Sequence, residues 1–219
     1  MIRNRSLFIS MLVLLLAFMF TSPPTRAADA EEIIKNIQKK YKSAKTVRIQ
    51  FKETALYKLT NTMTEVSGTL QMEGEAKFRL DSEDQVIVND GKNVWRYNKL
   101  NNQVLIDYAK KTEQDVMLSN FLYEIKDHYF GQIIEEKKEG GVKKYAIKLT
   151  PRPNEQSFFT SVKIWVQDKT WEIEEVVYTD YNGNETTYII EKIEFNPNFT
   201  TAVFSFTPPE GIQVVDLRF

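Results

Sequence analysis

Hydrophobic residues along this chain keep three different spacings in turn, and each predicts a different element. The first is an almost unbroken apolar run over residues 7–20, behind Arg3 and Arg5. The second covers residues 30–41, where Ile33, Ile34, Ile37 and Tyr41 form one stripe and Glu31, Lys35, Lys39 and Lys40 take the rest of the surface. That is the period of an amphipathic helix. Asp29 is placed to cap its N-terminus, and Glu31 and Glu32 suit the positive end of its dipole. The third spacing begins at Thr46, where Val47, Ile49 and Phe51 alternate with Arg48, Gln50 and Lys52. Alternation marks a half-buried strand. It recurs over residues 65–72, 77–80, 85–88, 94–98, 103–107, 145–149, 162–167, 172–179 and 186–195.

Turn residues separate these runs: Gly74, Asp90-Gly91, Asn101-Asn102, Gly140-Gly141, Asp168-Lys169 and Asn182-Gly183. Many short alternating runs joined by tight turns predict an antiparallel sheet winding around a core. Residues 112–127 interrupt it, with Val116, Met117, Phe121, Leu122 and Ile125 at helical spacing. Pro151, Pro153 and the Phe158-Phe159 pair mark a second non-strand insert. No repeat, low-complexity stretch or linker divides the chain, which predicts one mainly β (α+β) domain. A curved sheet of this size either fills its concave side with its own side chains or encloses a cavity.

The basic start, the apolar run and the small residues near Ala27 describe a secretory signal peptide. A membrane anchor needs about twenty apolar residues, more than the run supplies. Cleavage is expected after Ala27, with Ala28 and Ala30 as neighbouring alternatives. Residues 1–27 are then the signal peptide, and residues 28–219 an exported mature domain. The chain has no cysteine, so the domain folds on core packing without disulfides or a thioether-linked lipid. Beyond Ala27 there are 26 basic and 30 acidic residues, a net charge of −4. That balance argues against nucleic acid as partner, because phosphate binding relies on a basic surface.

Candidate chemistry is sparse. His128 is the single histidine, so neither the common zinc sites nor a serine or cysteine nucleophile with its usual base has enough partners. The stretch Asp180-Tyr181-Asn182-Gly183-Asn184 faintly resembles a calcium loop, but Glu185 stands where that loop needs glycine. It reads better as a hairpin turn. Asp90, in Val88-Asn89-Asp90-Gly91, has no base or metal beside it and reads as turn chemistry as well. No phosphate loop or nucleophile elbow is present. The expectation is a protein that is not an enzyme and uses no cofactor or metal.

Three stretches resemble the periplasmic outer-membrane lipoprotein carrier family (LolA). The first runs from Phe51 through Gly68-Thr69-Leu70 to Phe78-Arg79. The second joins Val88-Asn89-Asp90-Gly91 to Trp95, Tyr97-Asn98 and Gln103-Val104. The third runs from Val166-Gln167-Asp168 through Asp180, Gly183 and Thr186 to Phe204-Ser205-Phe206-Thr207-Pro208-Pro209 and Gly211. The resemblance implies a single-domain incomplete antiparallel β-barrel enclosing an apolar cavity, with an N-terminal helix and helical lid inserts. It implies a monomeric carrier that takes acylated lipoproteins from an inner-membrane ABC-type releasing complex to an outer-membrane receptor. The alternative is a periplasmic lipid- or lipoprotein-sensing regulatory module of the same fold.

Resemblance and strand parity together give as cavity lining Val47, Ile49, Phe51, Leu70, Met72, Phe78, Leu80, Trp95 and Tyr97. Met117, Leu118, Phe121 and Leu122 are the lid contacts. One departure stands out. Where many relatives carry Arg-Pro before the phenylalanine, with the arginine latching the lid, this chain has Ala76-Lys77 before Phe78 and Arg79 after it.

Overall fold

The computed structural model describes residues 26–109, 117–153 and 157–218. The apolar run over residues 7–20 and residues 112–116 of the expected insert lie outside the described residues. Helix α1 spans Arg26–Ser43, longer than its stripe predicts, so Asp29 sits inside the first turn instead of capping it. Strands β1 to β6 are Thr46–Tyr57, Thr62–Glu73, Lys77–Ser82, Gln85–Asn89, Asn93–Asn98 and Gln103–Tyr108. Helix α2 (Met117–His128) follows, then β7 to β11: Tyr129–Glu139, Val142–Pro151, Phe159–Gln167, Ile173–Asp180 and Glu185–Phe195. A short 3-10 helix (Thr201–Phe204) and β12 (Gln213–Asp216) close the described chain. The second expected insert is a strand-to-strand connection. Pro151 ends β8 and Phe159 opens β9, with residues 154–156 outside the described part.

All twelve strands form one open sheet in the order β12-β6-β5-β4-β3-β2-β1-β11-β10-β9-β8-β7. Two antiparallel meanders, β1 to β6 and β7 to β11, meet where β1 pairs with β11. The barrel is not closed. The turn residues behave as their chemistry requires: Gly140 (φ 57°) and Gly141 (φ 84°) make the two-residue β7–β8 hairpin, where both positions need the left-handed region.

Topology decides what covers the sheet. Strand β6 lies near one edge and β7 at the other, so the connection through α2 must cross a face. It crosses the concave one: Phe121, Leu122, Tyr123 and Ile125 join the main core cluster with Ile33, Ile34, Ile37 and Tyr41 of α1. The chain leaving β11, at the middle of the sheet, returns over the convex face to add β12 parallel to β6. On that path Phe199 takes the Arg48 guanidinium over its ring at 5.1 Å, the Ser205 carbonyl accepts a hydrogen bond from Arg79, and Phe206 packs on Tyr97 with ring centroids 6.0 Å apart.

Candidate functional site

The concave face is built by register. Val47 lies opposite Met72, Ile49 opposite Leu70 and Phe51 opposite Gly68. Met72 and Leu70 in turn face Phe78 and Leu80. All seven expected lining residues on β1 to β3 are buried and belong to one cluster. Gly68 is part of the fit, since a Cβ there would come within 2.6 Å of Phe51 Cζ. From Phe51 a row of rings continues across the seam between the meanders. Phe51 meets Tyr188 edge-on at 5.5 Å, Tyr188 meets Tyr178 at 6.0 Å, and Tyr178 meets Phe121 of α2 at 5.7 Å.

Trp95 and Tyr97 are placed elsewhere. Val94 is opposite Asn89, and Asn89 opposite Phe78, so the even positions of β5 share the concave face. Trp95 and Tyr97 pair with Val88 and Val86 and face the convex side, under the returning C-terminal segment. The structure therefore separates these two from the other seven.

Of the expected lid residues, Phe121 and Leu122 are buried against the cluster. Met117 and Leu118 lie in the first turn of α2, but their side chains are outside the described part. Sequence reasoning missed the neighbours Tyr123 and Ile125 as lid contacts, although Ile125 keeps the helical spacing. It also missed Gln38. That residue, 8% exposed on α1, donates from Nε2 to the Tyr123 carbonyl at 2.7 Å, and its Oε1 accepts from Lys126 N–H at 3.2 Å. One amide thus binds both helices together. Arg79 does no such work. It faces the convex side, bonded to Asp81 through Nε at 2.6 Å and Nη2 at 3.0 Å.

Few polar groups enter this apolar interior. Glu53, two residues beyond Phe51 on the same face, lies opposite Tyr188 and is hydrogen-bonded to it. Partial burial raises its pKa, which the Tyr188 hydroxyl partly offsets and the nearby Asp84 carboxylate reinforces. The Tyr123 hydroxyl is buried with no hydrogen-bond partner among the described residues.

The remaining candidates resolve into structure. Asp90 Oδ1 accepts from the Lys92 and Asn93 amides, both at 2.7 Å. Against a small burial cost, those amides hold its carboxyl below the usual range, the opposite of what a general acid requires. Asp180 likewise holds its own turn, accepting from Asn182 and Asn184. His128 ends α2 beside Glu124 at 3.3 Å. Among the described residues no group of three or more His, Asp or Glu is placed to hold a metal ion. An open groove of 740 Å³ runs between the β7–β8 hairpin and the β9–β10 turn, lined by Glu136, Lys137, Lys143 and Asp168. Charged walls of that kind cannot shelter hydrocarbon.

The profile of the family described as "Outer membrane lipoprotein carrier protein LolA" matches residues 42–207. An outer-membrane lipoprotein carrier protein of Nitrosomonas europaea is 28% identical over 210 residues, covering 93% of this chain and 96% of that protein. An uncharacterized protein of Methanocaldococcus jannaschii is 26% identical over 212 residues, covering 92% of this chain and 58% of that protein. Among solved structures, an uncharacterized conserved protein of Thermus thermophilus superposes with a TM-score of 0.56 at 14% identity, covering 84% of this chain and 97% of that one. At that identity the likeness concerns the fold.

Proposed function

Starting from the fact that the chain belongs to the outer-membrane lipoprotein carrier (LolA) family, we propose that it is a non-catalytic carrier for acylated lipoproteins. It shelters their acyl chains between the concave sheet face and helices α1 and α2. It is exported to the periplasm with loss of residues 1–27, loads from an inner-membrane ATP-driven releasing complex and delivers to an outer-membrane receptor. The observation that carries this reading is the continuous apolar wall of Val47, Ile49, Phe51, Leu70, Met72, Phe78 and Leu80. It is roofed by two helices instead of a second sheet, and helices can move off a wall without breaking the ladder beneath it.

The energetics suit the task. Each buried methylene contributes about 0.8 kcal/mol, so an acyl chain of roughly fifteen carbons gains on the order of 12 kcal/mol in lipid. No such chain crosses water at a useful rate unaided, so a carrier must offer comparable apolar area and still release it. The test is binding of a fluorescent acyl probe by the purified protein, with native mass spectrometry of protein taken from the periplasm. Saturable binding, weakened in Phe78→Glu, and a bound acylated peptide are the expected results. Probe binding no greater than to an unrelated soluble β-protein would defeat the reading.

A further inference from the structure

Among the described residues, Tyr123 carries the one buried side-chain polar atom without a hydrogen-bond partner. Its residue is 4% exposed and belongs to the core cluster, on the helix that roofs the concave face. The other deeply buried tyrosines on this face differ. The Tyr41 hydroxyl accepts from the Ile173 amide, and the Tyr188 hydroxyl bonds Glu53. An unmet hydroxyl in an apolar interior is costly, and a phenylalanine of the same shape would avoid that cost. A polar atom so placed is what a pocket uses to orient a mostly apolar ligand.

The chemistry of the missing partner is constrained. Burial, reinforced by the Glu75 carboxylate, pushes the Tyr123 phenol up to about 12, so it remains a neutral donor and needs an acceptor. The same Glu75 charge disfavours an anion such as a free fatty carboxylate. A neutral carbonyl oxygen fits both conditions. Acyl chains carry one at their head, in the ester or amide that links them.

We propose that Tyr123 donates a hydrogen bond to the ester or amide carbonyl of a bound acyl chain, so that the site reads the acyl linkage as well as the hydrocarbon. This rests on the carrier reading. The linkage occurs both in the diacylglyceryl head of a lipoprotein and in a phospholipid.

The test compares ester-linked lipids with ether-linked analogues of equal chain length, which lack the carbonyl. Two series are measured, S-diacylglyceryl-cysteine peptides and phosphatidylcholine, against wild type and Tyr123→Phe. Wild type is expected to prefer the ester by about fivefold, the scale of one net hydrogen bond. Tyr123→Phe should bind both forms equally, and its thermal midpoint should be unchanged or raised, because the unmet hydroxyl is gone. Preference confined to the peptide series, or present in both, supports the proposal and identifies the source. Equal binding of ester and ether by wild type, or a preference that survives in Tyr123→Phe, overturns it and leaves the carrier reading intact. Failure of wild type to bind any of these lipids overturns both.

Discussion

Phe51 occupies space that any side chain at residue 68 would need. A Cβ there would lie 2.6 Å from the Phe51 ring and 3.0 Å from the Asp81 carbonyl oxygen. The carbonyl belongs to β3 and cannot withdraw without disturbing the β2–β3 ladder. The ring is confined by Tyr188 on its other side. Gly68→Ala should therefore cost about 1–3 kcal/mol, the range for overpacking a dense core, seen as a lower urea midpoint. An unchanged midpoint would mean that the ring has somewhere to go. Glu53, on the same strand, gives a pH signature. Its folded-state pKa lies above the ordinary value of 4.5. Between the two values the folded state binds more protons than the unfolded state, so this group's contribution to stability falls as pH rises through that window. Glu53→Gln keeps an acceptor for Tyr188 and removes the charge. It should be more stable than wild type at neutral pH, with the difference shrinking as pH falls to 4.5 and below. Melts from about pH 3 to about pH 8, spanning both protonation states, check this, and a constant difference would dismiss titration as the cause.

At the scale of elements, one amide adds two hydrogen bonds to the apolar contact between the roofing helices. Replacing Gln38 by alanine removes both hydrogen bonds that it makes to α2, to the Tyr123 carbonyl and from the Lys126 amide. A hydrogen bond contributes about 0.5–1.5 kcal/mol net, and here the loss falls on the α1–α2 contact. Amide exchange over Met117–His128 should accelerate in Gln38→Ala while β1 and β2 stay protected. Uniform acceleration across the sheet would place Gln38 in the global core. No sequence pattern points to this residue, because a polar side chain on the edge of a helical stripe reads as solvated. Other elements are legible: the stripe of α1 and most alternating runs correspond to observed elements. Strand β7, YFGQIIEEKKE, is not, because it is an edge strand whose bulge between Ile133 and Glu135 breaks its alternation. Trp95 and Tyr97 show a subtler limit. Their shared parity is legible, but its phase relative to β1 is not. It must be carried across β4, where Val86, Ile87 and Val88 are all buried and alternation disappears. A strand covered on both faces carries no phase.

For the whole molecule, the important asymmetry lies between what covers the two faces. The convex side is held by a segment that ends in the sheet as β12, whereas the concave side is held by helices joined to it through side chains. Phe121, Leu122 and Ile125 occupy the same wall that acyl chains would use. On the proposed carrier function, cargo would displace protein side chains as it enters, and its affinity would be reduced in proportion to the fraction of molecules that are open. The gain from burying one acyl chain, on the order of 12 kcal/mol, is comparable to the roughly 5–15 kcal/mol that stabilises an entire domain, so moving one helix is well within reach. Loosening the roof should then help binding even as it harms the fold. Leu122→Ala is expected to lose about 2–5 kcal/mol of stability, as buried leucines do, yet to bind an acyl probe more tightly than wild type. Trp95→Ala, on the convex face, should leave probe affinity within about twofold of wild type, since the pieces it touches do not move with the roof. Titrating the probe into both variants and following melts in parallel separates the two faces. Weaker binding in Leu122→Ala would make α2 a fixed wall of the site instead of a plug. A large loss in Trp95→Ala would move the site itself to the other side of the sheet.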